Sequence, residues 1–214
     1  MTRQITHHPT DALLLAYAAG ALPEAFSLVI AAHISLCDQC RAQSESFDAV
    51  GGSLLAQAED KDVPPPDLEA TLARIRKGPA TRRALPRDPV FPAPLADYLG
   101  GGVDRVRWRP VGMGVRQAIL PTSRTASARL LYIPAGTAVP DHSHKGLELT
   151  LVLQGAFADA DGHFGRGDLE VADDCVDHAP MADIGEDCIC LAATEAPLRF
   201  NAFFPRLAQP FLRI

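Results

Sequence analysis

Apolar positions in the first third of the chain recur with a helical period. Thr10 or Asp11 is placed to cap a segment over Asp11–Ala19, and Gly20 to end it. Pro23 suits the first turn of a second helix carrying Phe26, Val29 and Ile30 as far as about His33. A third helix is expected from near Cys37, with Phe47, Val50, Leu54 and Leu55 along one face, before Pro64, Pro65 and Pro66 stop it. Asp67 then caps a fourth helix with Leu68, Leu72 and Ile75 at i, i+4 and i+7. Residues 78–95 hold Pro79, Pro86, Pro89, Pro92 and Pro94, a composition that favours extended backbone and predicts neither helix nor central strand. Beyond them the period falls to two. Arg129–Ile133, Leu147–Leu153, Asp168–Val171, Cys188–Ala192 and Leu198–Phe203 read as short strands between Gly, Pro and Asp turns.

This pattern predicts an α+β chain of two domains: four helices over residues 1–77, a Pro-rich linker over 78–95, and an antiparallel β-barrel over 96–214. Charge narrows the class of partner. The net charge is −6, divided as −4 over 1–77, +2 over 78–95 and −4 over 96–214. Neither domain carries the basic footprint of a nucleic-acid binder. The apolar run Ala12–Leu22 follows Arg3, yet Pro9, Thr10 and Asp11 stand where a leader peptide would be basic. No window reaches the ~18 clean apolar residues of a membrane span. Five cysteines are too few and too clustered for a secreted disulfide scaffold, so the chain is expected to be cytoplasmic, with reduced thiols.

Those thiols form the first candidate site. His33, Cys37 and Cys40 follow one another at i, i+4 and i+7, a spacing that puts them on one helical face or across a helix end and the start of the next. A histidine before the first helix, His7 or His8, can fold back as a fourth ligand. Two thiolates and two imidazoles suit tetrahedral zinc, and a helical domain of this size gains from a metal staple. Cys37 and Cys40 alone would equally suit a redox pair or two core residues.

The stretch from His8 through Asp11-Ala-Leu-Leu-Leu-Ala-Tyr-Ala-Ala-Gly20, with Leu36-Cys37-Asp38-Gln39-Cys40-Arg41, resembles the zinc-binding anti-sigma factors of the ChrR type. The resemblance implies that His8, and not His7, is the fourth zinc ligand. It extends through Pro94-Leu-Ala-Asp-Tyr98, Val106-Arg-Trp-Arg109, Gly114-Val-Arg-Gln-Ala-Ile-Leu-Pro121 and the final Pro210-Phe-Leu-Arg-Ile214.

A second constellation lies in the β region. Gly136, His142, His144, Glu148 and Gly155 keep the spacing of the first cupin motif. His142 and His144 at i, i+2 point to one face of a strand, and Glu148 can return to that face across a bend. The second motif keeps Gly167 and the fourth ligand His178, while Asp173, Cys175 and Ala182 replace its usual Pro, Gly and Asn. Three imidazoles and a carboxylate suit zinc, manganese, iron or nickel. Cys175, Cys188 and Cys190 read as small buried hydrophobes, or as thiols that sense an oxidant beside the metal.

Together the two sites are the architecture of the ChrR-type anti-sigma factors. That resemblance implies a chain that binds one extracytoplasmic-function-type sigma factor, 1:1, and blocks its binding to core RNA polymerase. It also implies release on an oxidative-stress signal relayed through the cupin domain, without direct contact with nucleic acid or membrane. The surplus of apolar side chains between Leu13 and Ile30 is either ordinary core or part of the docking surface. The competing class is a metal-dependent cupin enzyme, a dioxygenase or isomerase, though no clear general base accompanies the ligands.

Overall fold

The computed structural model of the chain describes residues 4–57, 67–78, 87–123, 125–140, 142–143, 146–173, 177–196 and 199–200, the side chains of 142–143, 177–178 and 199–200 excepted. Its helices are α1 (Asp11–Ala18), α2 (Glu24–Ile34), α3 (Asp38–Gln57), α4 (Leu68–Lys77) and α5 (Ala93–Leu99). The strands are β1 (Arg109–Gly112), β2 (Val115–Ile119), β3 (Ser127–Ile133), β4 (His142–Ser143), β5 (Glu148–Gln154), β6 (Ala156–Ala158), β7 (His163–Gly165), β8 (Leu169–Ala172), β9 (Asp177–His178), β10 (Met181–Ala182), β11 (Cys188–Thr194) and β12 (Arg199–Phe200). The capping chemistry is as expected. Thr10 accepts a hydrogen bond from the Leu13 N–H, and Asp67 from the Ala70 N–H, each satisfying an orphan donor of a first helical turn.

Among the described residues, the strands do not close into the expected barrel. One antiparallel sheet has the order β1-β2-β3-β11-β5-β8, and two three-stranded sheets have the orders β10-β6-β7 and β12-β4-β9. Closure needs pairing continuous around the circumference, and the large sheet ends at β1 and β8. Gly155, at φ +67°, turns the chain out of the large sheet into the β6–β7 hairpin. The strands bearing the cupin-like histidines are only two residues long and pair with one another.

The end of the Pro-rich stretch also departs from expectation. Pro92 is the N-cap of α5 and Pro94 lies in its first turn, where a missing N–H leaves no bond unmade. Val90, Phe91 and Leu95 are buried beside it.

Alternation along the large sheet sorts its two faces. Leu130, Leu149, Leu151, Leu153, Ile189 and Leu191 meet the helices in one core with Leu14, Phe26, Val29 and Ile30. Ile133, Val152, Cys188 and Cys190 turn the other way and pack with Phe157 and Phe164 of the β6–β7 hairpin. α2 explains the surplus of apolar residues noted above. Its Ala25, Phe26, Leu28, Val29, Ile30 and Ala32 are all buried, because the helix lies between its helical neighbours and the sheet. A helix apolar on every side is a buried helix.

The exposed apolar residues lie elsewhere in the helical part. Leu15, Val50, Leu54 and Leu55 face outward on α1 and α3, and Leu68 and Ile75 on α4, which buries none of its residues. Among the described residues, no helix is long and apolar enough to cross a membrane.

Candidate metal centre

His33, Cys37 and Cys40 straddle a helix junction. α2 ends at Ile34, and its last turn is closed by Leu36 and Cys37 N–H groups donating to the His33 carbonyl. Cys37 immediately precedes α3, and Cys40 sits in its first turn. A helix N-terminus favours negative charge, so the junction suits thiolates. His8 arrives from the extended segment before α1, two residues ahead of the Thr10 cap. Its Nδ1 lies 3.5 Å from Cys37 Sγ and 3.3 Å from Cys40 Sγ. All four ligand atoms fall within 4.8 Å of one another, with His8 half-buried and the other three buried.

His7 shows why its neighbour is the one that joins the cluster. Adjacent side chains of an extended segment point to opposite sides. The His7 ring is turned away onto Phe164, centroids 4.3 Å apart.

The donor set fits a metal ion. His33 is fully buried; its Nδ1 lies 2.9 Å from the Gly167 carbonyl, while Nε2 has no hydrogen-bond partner. A buried orphan nitrogen costs free energy. Nδ1–H donating to Gly167 leaves the Nε2 lone pair aimed at the cluster, the tautomer a metal needs. Burial, and then the neighbouring His8, lower the His33 pKa to about 4 against the bond to Gly167, so the ring is neutral at pH 7. Burial, and then Cys37, push the Cys40 thiol up to about 12.

Two residues of the β part support this cluster, and neither motif pointed to them in that role. Asp168 is fully buried in the turn between β7 and β8. Its Oδ1 accepts the N–H groups of Thr6 at 2.7 Å and His7 at 3.0 Å, and its Oδ2 that of Gly165 at 2.9 Å. Burial opposes its charge, but the N–H donors of Thr6, Gly165 and His7 and the His7 ring outweigh it and lower its pKa. The Leu169 N–H also donates to the His7 carbonyl. Gly167 has φ +91°, and a Cβ there would lie 2.6 Å from Ile5.

The cupin-like ligands are placed only in part. His142 on β4 and His178 on β9 are directly opposed backbone partners. Their side chains, with all of His144 and Cys175, lie outside the described residues. Glu148 opens β5, buried, and accepts a hydrogen bond from Thr150 Oγ1 at 3.0 Å. It shares the inner face of the sheet with Arg129, whose guanidinium is buried near it. Among the described residues, the His8 cluster is the one group of three or more His, Cys, Asp or Glu side chains that can hold a metal ion. Cys188 and Cys190 are buried with sulfurs 3.5 Å apart. Their contact, then burial, raises the Cys190 pKa well above the ordinary range, which suits an inert core thiol.

Residues 100–197 match the family described as the ChrR cupin-like domain. The anti-sigma-E factor ChrR of Cereibacter sphaeroides is 59% identical over 215 residues, which cover 98% of this chain and 99% of that protein. This chain belongs to the ChrR family of anti-sigma factors. The kinship spans helical and β parts alike. In the crystal structure of Rhodobacter sphaeroides SigE in complex with the anti-sigma ChrR, the matching chain is 57% identical with a TM-score of 0.75, over 89% of this chain and 99% of that one. Kinship along the whole length to a regulatory protein displaces the dioxygenase or isomerase alternative. This family member is an anti-sigma factor.

Proposed function

We propose that this chain binds one extracytoplasmic-function-type sigma factor in the cytoplasm and blocks its access to core RNA polymerase. The observation that carries the reading is the full-length kinship to an anti-sigma-E factor, whose family includes a chain crystallised with SigE. In this reading residues 1–77 are the docking domain, 78–95 the linker and 96–214 the sensing domain. Zinc is held by His8, His33, Cys37 and Cys40, and ties the segment before α1 to the α2–α3 junction. A second divalent ion, zinc, manganese, iron or nickel, is held by His142, His144, Glu148 and His178. An oxidative-stress signal received by the sensing domain releases the sigma factor, with no direct contact between this chain and DNA.

The exposed apolar residues of α3 and α4 supply the docking surface. α4 is well capped, carries Arg74, Arg76 and Lys77 in its last turn as the helix dipole favours, and still buries nothing. Such a helix is stabilised by a partner. The test is copurification of the tagged chain with the sigma factors of its own cell, followed by transcription assays with core polymerase. A 1:1 complex that is inactive in transcription is expected. Leu54→Asp with Ile75→Asp should weaken that complex at least about tenfold, since burying either charge unpaired is costly, and leave melting within about 0.5 kcal/mol. Undiminished affinity would place the docking surface elsewhere.

The thiol chemistry sets a pH dependence. Cys40 is protonated at neutral pH in the metal-free chain and must lose its proton to ligate. Zinc binding at pH 7 should therefore release at least one proton, and apparent affinity should fall about tenfold or more per unit of pH lowered near neutrality. Calorimetric titration in buffers of different ionisation enthalpy measures the release. An enthalpy independent of buffer would exclude Cys40 as a ligand.

A further inference from the structure

We propose that Asp168 is a positioning residue of the metal centre: from the β part it holds the backbone that presents His8, so the cluster is assembled by both parts of the chain. The proposal rests on the reading that His8, His33, Cys37 and Cys40 bind a metal ion.

The geometry gives Asp168 this role. His8 belongs to no helix or strand, and what fixes the segment just before it is the Asp168 carboxylate. Its Oδ1 gathers the N–H groups of Thr6 and His7, and the Leu169 N–H closes onto the His7 carbonyl. The segment therefore adds to the edge of the β7–β8 turn, and the next residue enters the cluster. The same turn reaches the cluster a second time, because the Gly167 carbonyl accepts from His33 Nδ1. One short turn thus sets the backbone of one imidazole ligand and the tautomer of the other. Asp168 is fully buried and charged, a costly arrangement that three backbone donors compensate. Supporting contacts of this kind typically change metal affinity by ten- to hundredfold.

This placement also gives a physical link between the two parts. Strand β8 starts one residue after Asp168 and ends at Ala172, whose backbone partner on β5 is Glu148. A displacement of β8 at the Glu148 end is carried along four residues of paired strand to the turn that holds the His8 segment.

The test uses the full-length chain with cobalt(II) as the probe. Thiolate-to-cobalt absorption reports the cysteine-containing cluster alone, because the ligand set of the β part has no cysteine. Asp168→Ala should lower cobalt affinity at the thiolate site by about ten- to hundredfold. Asp168→Asn should restore part of it, since its amide oxygen still accepts from Thr6 and His7. Thr6→Pro, which removes the 2.7 Å donor and leaves the β part untouched, should also weaken binding several-fold. Asp88→Ala is the control: Asp88 likewise accepts three backbone N–H groups, those of Val90, Phe91 and Val103, and none of the three belongs to the cluster or to the His8 segment. It should leave cobalt affinity within twofold. If Asp168→Ala and Thr6→Pro both bind cobalt within twofold of the parent, or if Asp88→Ala loses as much as Asp168→Ala, the proposal is overturned while the metal reading stands. A parent chain that develops no thiolate-to-cobalt absorption would overturn the metal reading, and the proposal with it.

Discussion

Replacing Cys37 and Cys40 together by serine should remove one equivalent of metal per chain and abolish inhibition of the sigma factor. Two of four donors are lost, and serine hydroxyls do not replace thiolates for a borderline-soft ion. The remaining pair cannot compensate, because two imidazoles alone supply half of a tetrahedral shell. Structural zinc sites are worth about 10–16 kcal/mol in isolated zinc-finger peptides. Here α2 is independently anchored on the sheet, so the helical part should not unfold. The expected change is local: the segment before α1 and the first turn of α3 lose their common tie, and the surface built on them loosens. Metal analysis of the purified chain, far-ultraviolet circular dichroism and a pull-down with the sigma factor check the three statements separately. Cys188→Ser with Cys190→Ser provides the contrast, since those thiols sit inside the β part and their loss should leave both metal content and inhibition intact. A Cys37→Ser, Cys40→Ser chain that lacks the metal and still inhibits would separate inhibition from the cluster.

The cluster was legible because its spacing is local. His33, Cys37 and Cys40 lie within eight residues, and helical geometry brings such positions together whatever the tertiary fold. Choosing His8 over His7 needed the resemblance. The residues before α1 are extended, and only Phe164 and Asp168 show which side faces the β part. Asp168 and Gly167 were not legible as supports of the site, because the contact joins residues more than 130 positions apart. The cupin spacing drew attention to Gly167 for a different reason.

The same distinction between local and distant runs through the fold. Caps at Thr10 and Asp67 and the alternation in β3, β5 and β11 follow from neighbouring residues. The β1–β2 hairpin was missed, for its strands alternate poorly and its turn places the non-glycine Met113 at φ 54°. The barrel was wrongly expected because period two says that strands exist and not which edges meet. The role of α2 was likewise open. Its residues are apolar on every side, and only the packed structure shows that the sheet, and not a partner, takes that face.

That packing carries the second large prediction. Phe26→Ala should destabilise the zinc-loaded chain by about 3–5 kcal/mol, lowering the melting temperature by on the order of 10 °C for a chain of this size. Phe26 is 1% exposed, in the core where α2 meets Leu130, Leu151 and Leu191 of the sheet. Removing the ring deletes its transfer free energy and leaves a cavity. The cavity cannot collapse easily, because its walls are a sheet buried on both faces and a helix held at one end by the His33 bond to Gly167. Ile184→Ala, at a site 90% exposed, is the reference and should change stability by no more than about 0.5 kcal/mol. The size of the Phe26 effect measures whether the helical and β parts share one core in solution. A shift equal to that of Ile184→Ala would mean that α2 is not seated on the sheet. A large shift with a single cooperative transition would mean that α2 and the sheet unfold as one unit, so that strain at the sheet is felt directly at the α2–α3 junction that carries the cluster.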